Sequence, residues 1–225
     1  LRQIIYEIGG GMRDGKKFKG VQTGGPSGGI IPEQYLDTPV DFDELTKLGS
    51  MMGSGGMVVM DEDTWMVDVA RFFVNFLTEE SCGKCIPCRE GLRLLRNILT
   101  DICEGRGKEE DIKVIEEVAE VMRDASLCAL GTTAANPVLT TLKYFRDEYE
   151  AHIKEKRCPA KFCKNLVSYY IDPEKCQACM ICLRNCPVGA INGGKDLVHW
   201  IDQEKCTKCG TCYEVCPPRF GAVVK

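Results

Sequence analysis

The amino-acid sequence predicts an α+β chain in three parts: a small mixed domain, a four-helix bundle and a short duplicated domain rich in cysteine. Three observations predict it. Glycine clusters and short apolar runs fill residues 1 to about 60, the apolar period lengthens to that of a helix from Thr64, and a block of sequence recurs at an offset of thirty in the last 55 residues.

In the first part the apolar runs are Ile4-Ile5-Tyr6, Phe18 to Val21 and Met57-Val58-Val59-Met60, separated by Gly9-Gly10-Gly11 and Gly24-Gly25-Pro26-Ser27-Gly28-Gly29. The second glycine stretch lacks the Gly-Lys-Ser/Thr ending and following helix of a phosphate cradle, so it reads as a turn. A short helix fits Asp41 to Leu48, with Phe42, Leu45 and Leu48 on one face. From Thr64, Trp65, Met66, Val69, Phe72, Phe73, Phe76 and Leu77 form one stripe of an amphipathic helix and read as core. Leu92, Leu95, Leu99 and Ile102 mark a helix over roughly 89–103, closed by Gly105 and Gly107; Ile112, Ile115, Val118, Ala119 and Met122 mark the next. The fourth is expected to start with Asn136 as N-cap and Pro137 at the first helical position, and to run to Tyr149. In the repeat, Ile171-Asp172-Pro173-Glu174-Lys175-Cys176 matches Ile201-Asp202-Gln203-Glu204-Lys205-Cys206.

Composition narrows the function classes. Fifteen cysteines in 225 residues fall below the density of small disulfide scaffolds, and an odd number cannot pair fully within the chain. With 44% hydrophobic residues the chain builds a core without staples, so the cysteines ask for metal or redox chemistry. A formal charge of −4 gives no support to a nucleic-acid or anionic-membrane partner. No bilayer-spanning segment and no signal peptide are expected, and the Leu1 start reads as that of a fragment.

The cysteines sort by spacing. Cys176, Cys179, Cys182 and Cys186-Pro187 spell C-x2-C-x2-C-x3-C-P, and Cys206, Cys209, Cys212 and Cys216-Pro217 spell it again. Three closely spaced thiolates hold three corners of an iron–sulfur cube, and the fourth Cys of each run ligates the other cube, as in a two-cluster bacterial ferredoxin. One 4Fe-4S cluster is thus assigned to Cys176, Cys179, Cys182 and Cys216, the other to Cys206, Cys209, Cys212 and Cys186. Paired zinc sites would more typically show two separated C-x2-C pairs. Cys82, Cys85 and Cys88 supply three corners of a third cluster. Cys103 lies about 21 Å along the following helix, whereas Cys128 sits where the next helix returns, so geometry selects Cys128 as the fourth ligand. Zinc is the alternative there.

Cys103, Cys158 and Cys163 remain, with His152 and His199 the two histidines. The helix from Pro137 reaches His152 after about 22 Å, the travel that carries Cys103 away from Cys88. Cys103, His152, Cys158 and Cys163 therefore read as a closed Cys3His zinc site in the linker Cys158-Pro159-Ala160-Lys161-Phe162-Cys163. The alternative is three separate thiols, with Cys103 the first to be a buried apolar residue. His199, beside Trp200, is expected at the surface.

The run Glu80-Ser81-Cys82-Gly83-Lys84-Cys85-Ile86-Pro87-Cys88-Arg89-Glu90-Gly91, with Ser126-Leu127-Cys128-Ala129-Leu130-Gly131, resembles the cluster domain of the NADH-binding flavoprotein subunit of respiratory complex I and its relatives. Gly9-Gly10-Gly11-Met12 and Gly24 to Gly29 resemble that subunit's ubiquitin-like, soluble-ligand-binding β-grasp domain. With the ferredoxin added, the chain is similar to the beta subunit of NAD(P)-dependent, electron-bifurcating FeFe-hydrogenases and to some NAD-linked formate dehydrogenases. The resemblance implies a β-grasp domain over 1–62 and a four-helix 4Fe-4S domain over 63–150; the cysteine spacing adds a zinc-pinned linker over 151–168 and a 2x4Fe-4S ferredoxin domain over 169–225.

It further implies an oxidoreductase subunit that relays electrons from FMN to partner clusters, with the Cys128-Ala129-Leu130-Gly131 loop facing the flavin. FMN and NAD(P)H would bind an upstream domain that this sequence does not contain, so the chain holds no catalytic residue and does not oxidise NADH unaided. The implied partners are a catalytic hydrogenase subunit, a small thioredoxin-like 2Fe-2S subunit and soluble ferredoxin, in a cytoplasmic hetero-oligomer. A complex I-type flavoprotein subunit is the competing enzyme reading, and a mobile docking arm hinged at the zinc is the non-enzymatic one. Three 4Fe-4S(Cys)4 units and a Zn(Cys)3His site take the loaded chain to about −11, so partners should present basic surfaces.

Overall fold

The computed structural model describes residues 1–161 and 163–225. Phe162, in the expected zinc linker, lies outside the described residues. The chain forms two compact units, Leu1–Ala160 and Lys161–Lys225.

The first unit begins with one helical turn at Ile4–Ile8, where Ile5 is buried. Strands β1 (Phe18–Thr23) and β2 (Ile30–Pro32) pair antiparallel, Val21 opposite Ile31, across the glycine-rich turn. Helix α1 (Phe42–Lys47) starts at Asp41, whose carboxylate accepts the backbone N–H groups of Asp43 and Glu44 at 2.9 and 3.3 Å. Leu45 faces the core as expected, but Phe42 is 64% exposed: in a six-residue helix the cap fixes the first residue on the outer side. Strand β3 (Met57–Asp61) completes a sheet of order β2-β1-β3.

Helix α2 (Met66–Glu80) buries Met66, Val67, Ala70, Phe73, Val74 and Leu77. The stripe expected from sequence lies too far round: Phe72 and Phe76, four residues apart, form a row on the outer flank and are 66% and 41% exposed. Helix α3 (Ile86–Cys103) starts three residues earlier than its apolar pattern suggests, because Pro87 is accommodated in its first turn. Leu92, Leu95, Leu99 and Ile102 are fully buried, and Ile112, Ile115, Ala119 and Met122 bury the inner face of α4 (Glu110–Ala125). Helix α5 (Ala129–Thr133) is a single turn.

The expected fourth helix divides at Phe145 (φ −134°, ψ 40°) into α6 (Asn136–Tyr144) and α7 (Arg146–Ile153). Asn136 is not the N-cap: Ala135 holds that position, and the Asn136 side chain instead donates to Ser27 O at 3.1 Å. That bond ties α6 to the glycine-rich turn, as does Ile30 N–H donating to Thr140 Oγ1 at 2.9 Å. A shared core of Ile30, Met60, Met66 and Phe145 joins sheet to helices.

One buried ion pair fixes this joint. Glu148 lies on α7 and Lys19 on β1, with Nζ and Oε1 2.5 Å apart, while the other Glu148 oxygen accepts the Met66 N–H at 3.0 Å and so serves the start of α2. Burial pushes the Glu148 carboxyl above the usual carboxylate range, and the Lys19 ammonium opposes that push. Lys19→Met leaves the carboxylate uncompensated and is expected to cost about 3 kcal/mol, measured by denaturant unfolding of the first unit's helices.

The second unit repeats one pattern. Strand β4 (Tyr170–Ile171), helix α8 (Ile181–Asn185) and strand β5 (Ile191–Gly194) are followed by β6 (Leu197–Ile201), α9 (Thr211–Val215) and β7 (Val223–Val224). Strand β4 pairs with β7 and β5 with β6, both antiparallel. The offset of thirty extends to the backbone: Ala178 and Lys208 have φ of 50° and 55°, and Met180 and Gly210, the helix N-caps, have 66° and 83°. Val167, Tyr169, Cys182, Ile191, Ile201, Cys212 and Val223 form its core. Among the described residues, no helix is long and apolar enough to cross a membrane.

Candidate functional site

The first cysteine group assembles where α3 begins. Cys85 caps the helix and Cys88 lies in its first turn, so the unpaired N–H groups of that turn favour negative charge at both sulfurs. The Cys85 thiol is held below the usual range by the backbone N–H of Leu127 and then that of Cys88. Leu127 precedes Cys128, so this contact draws the second loop onto the first. Burial pushes the Cys88 thiol up, and the neighbouring sulfurs of Cys85, Cys128 and Cys82 push it further. Such mutual repulsion identifies thiols gathered at one place. Cys103 does not join them. It is buried at the far end of α3, as helix length predicts, and its electrostatic neighbour is Tyr149.

Gly131 makes the approach of α5 possible. A Cβ there would lie 2.5 Å from Ser126 Cβ and 3.0 Å from Cys88 Cβ. Gly131→Ala is expected to force the Cys128 loop off α3, costing about 1–3 kcal/mol and lowering iron content, which elemental analysis reads. Ser126 Oγ, at the same spot, is buried with no hydrogen-bond partner among the described residues. A leftover hydroxyl among four gathered thiols fits a group rich in sulfur acceptors.

The second unit brings together its two cysteine runs. Cys182 is buried and its thiol is pushed up to about 11, by burial first and then by Cys179, Cys176 and Cys216. Cys212 is likewise pushed up to about 11, by burial, by Cys206 and Cys209, and by Cys182 of the other run. Cys186 Sγ accepts the Ala190 N–H at 3.2 Å, and Cys206 Sγ that of Lys208 at 3.4 Å. Thr211 lies 3.3 Å from Cys209 Sγ and leads the causes that lower its thiol.

His199 corrects an expectation. It is 1% exposed rather than superficial: Nδ1 stands 3.6 Å from Cys182 Sγ and 3.9 Å from Cys176 Sγ, and Nε2 stands 3.4 Å from Met180 Sδ. The sequence held a signal for this. His199 and Ile201 are two apart on a strand and share its inner face, and the offset of thirty sets His199 against the buried Tyr169.

The ligand atoms of His152, Cys158 and Cys163 lie within 4.8 Å of one another, all three side chains buried. The His152 ring stacks on Trp65 with centroids 4.2 Å apart. A group of three buried donors of these types, this near one another, could hold one metal ion once drawn slightly together. It is the one group of three or more possible ligands that closes so tightly among the described residues. Cys103 stands outside that group.

A chain of thiolate quartets at loops and helix starts defines an iron–sulfur protein. Residues 68–152 match the NADH-ubiquinone oxidoreductase-F iron-sulfur binding region, and residues 175–220 match the 4Fe-4S dicluster domain. The chain is 50% identical over 199 residues to NADP-reducing hydrogenase subunit HndC of Solidesulfovibrio fructosivorans, covering 88% of this chain and 41% of that one. It is 45% identical over 159 residues to an NADH-quinone oxidoreductase subunit of Rhizobium meliloti, covering 71% of this chain and 38% of the relative. Among solved structures, an NAD+-reducing [NiFe]-hydrogenase in the H2-reduced state superposes with a TM-score of 0.59 at 30% identity, over 67% of this chain and 26% of that one. The chain thus spans less than half the length of these relatives. Together the matches support the C-terminal, iron–sulfur part of an NADH-binding flavoprotein subunit, of the kind found in hydrogenases and in NADH-quinone oxidoreductases.

Proposed function

We propose that the chain is the electron relay of an NAD(P)H-linked oxidoreductase complex, most specifically of a bifurcating hydrogenase, passing electrons between FMN held on another part of the subunit and partner iron–sulfur subunits. The observation that carries this is the gathering of cysteine sulfurs at the start of α3 and in the second unit, where Cys88, Cys182 and Cys212 each lie beside other cysteines of their proposed sets. Cys82, Cys85, Cys88 and Cys128 would hold one 4Fe-4S cluster; Cys176, Cys179, Cys182 and Cys216 a second; Cys206, Cys209, Cys212 and Cys186 a third. When bound, such clusters supply reversible one-electron chemistry. The residues' own part is to fix each sulfur, to donate N–H groups to it and to exclude water. The resemblance to HndC and to the NADH-quinone oxidoreductase relative supports this reading, as does the orphaned Ser126 hydroxyl.

The four-segment division, with a β-grasp domain over 1–62 and a zinc-pinned linker over 151–168, belongs to the same proposal. Zinc would be held by His152, Cys158 and Cys163, with Cys103 as the fourth donor. Cys103 neighbours Tyr149, one helical turn before His152. The implied partners are a hydrogenase catalytic subunit, a thioredoxin-like 2Fe-2S subunit and soluble ferredoxin. Anaerobic purification of the chain tests the reading: about 12 iron and about 12 acid-labile sulfide per chain, with three separable reduced-cluster EPR signals, are expected. Four iron or fewer would overturn it.

A further inference from the structure

We infer that His199 sets the potential of the cluster held by Cys176, Cys179, Cys182 and Cys216. By donating its Nδ1 proton to Cys182 Sγ, it makes that cluster the more easily reduced of the two in the second unit. The inference rests on the cluster reading above and adds an order to it.

The two halves of the second unit share a backbone but not this side chain. At the offset of thirty, His199 corresponds to Tyr169, Met180 to Gly210, and Cys182 to Cys212. Tyr169 stands over its own run as His199 does over the other. A Cβ on Gly210 would lie 2.9 Å from the Tyr169 hydroxyl, and Cys212, Cys209 and Cys206 are its electrostatic neighbours. Among the described residues, however, the Tyr169 hydroxyl makes no hydrogen bond to a cysteine sulfur, whereas His199 Nδ1 lies 3.6 Å from one.

The backbone makes room for the imidazole. The β5–β6 ladder slips register between Asn192 and Gly194, and Gly193 between them has φ +137°. A Cβ at Gly193 would sit 2.3 Å from His199 Cδ2. Only a glycine at this bulge admits the ring.

Chemistry fixes the direction of the bond. A cluster thiolate only accepts, and a buried ring nitrogen without a partner is costly, so Nδ1 carries the proton toward Cys182. The Met180 thioether facing Nε2 is a weak acceptor and does not compete. An N–H donated to a ligand sulfur stabilises added negative charge, and reduction adds it; the donor therefore raises the potential. The second run has a counterpart in Thr211, whose hydroxyl lies 3.3 Å from Cys209 Sγ where the first run has Ile181. Cys209 is exposed, so that hydroxyl competes with water; Cys182 and His199 are buried, where a hydrogen bond weighs more.

The test is an EPR-monitored redox titration of the full chain, loaded with iron and sulfide. His199→Phe, which fills the space without a donor, is expected to lower the reduced-to-oxidised ratio of one cluster about tenfold at a given potential, about 59 mV for a one-electron couple. The other two clusters should stay in place, and His199→Gln, which keeps an N–H donor, should fall between. No shift, an equal shift of both clusters in the unit, or a Gln variant matching Phe would overturn the inference. A second measurement does not depend on a variant's loading. With two histidines in the chain, ¹⁵N-histidine labelling of the unaltered protein should give a ¹⁵N coupling in pulsed EPR of whichever of the second unit's two clusters is reduced first, and its absence also overturns the inference. Four iron or fewer in the unaltered protein would instead defeat the cluster reading itself.

Discussion

Cys128→Ala is expected to remove about four iron per chain and one reduced-cluster EPR signal, while Cys103→Ala leaves the iron unchanged. The contrast follows from the two ends of α3. Cys128 is among the neighbours that push the Cys88 thiol up, and the Leu127 N–H beside it reaches Cys85; Cys103 neighbours Tyr149 at the other end. A cube bound by three thiolates and one open corner is exposed to solvent and oxidant, so anaerobic iron analysis should be paired with air-exposed samples. On the relay proposed above, the same variant in an assembled complex should slow electron passage from NAD(P)H to the partner by at least about tenfold, equivalent to about 1.4 kcal/mol. Equal iron loss in both variants would remove Cys128 from the ligand set.

The second large effect concerns zinc. Cys163→Ser removes one donor with little change of volume at a site that is 6% exposed. We expect elemental zinc near one per chain in the unaltered protein and near zero in the variant. Because binding energy at a structural metal is folding energy, thermal unfolding should fall by about 3 kcal/mol, or about 6–12 °C for a chain of this size. Treating the unaltered protein with a chelator should bring it to the variant's midpoint, and chelator should not lower the variant further. Zinc retained in Cys163→Ser, or a chelator without effect on an unaltered chain that lacks zinc, would return His152, Cys158 and Cys163 to ordinary buried side chains.

What could be read in the sequence was what short-range covalent geometry dictates. Three cysteines at x2 spacing lie close together wherever the chain turns, and a helix of known rise separates Cys88 from Cys103 however it packs. The repeat was legible from its matching residues, and the structure extends it to paired positive φ values at residues 178 and 208. What tertiary neighbours decide was not. Phe72 and Phe76 look like core, yet α3 and α6 take the other face of α2. Asn136 has the chemistry of a helix cap, but the Ser27 carbonyl captures its side chain. Nothing local marks Phe145 as a break. His199 sits in a strand of alternating exposure, and only the parity set by Ile201 and the glycine at residue 193 reveals which way it turns.

The core of the second unit carries a consequence for how a cell keeps this protein. Two of its seven buried members, Cys182 and Cys212, are at once packing residues and proposed ligands, and neither remaining helix exceeds five residues. Losing a cluster from the proposed ligands would therefore loosen the packing itself and not only the redox site. On the proposed ligand sets Cys186 and Cys216 each serve the other cube, so damage to one cluster would unfasten a side chain that positions its twin. Oxidative loss would then be seen by proteases as unfolding of the whole unit, so that damaged copies are cleared rather than left as relays with one step missing.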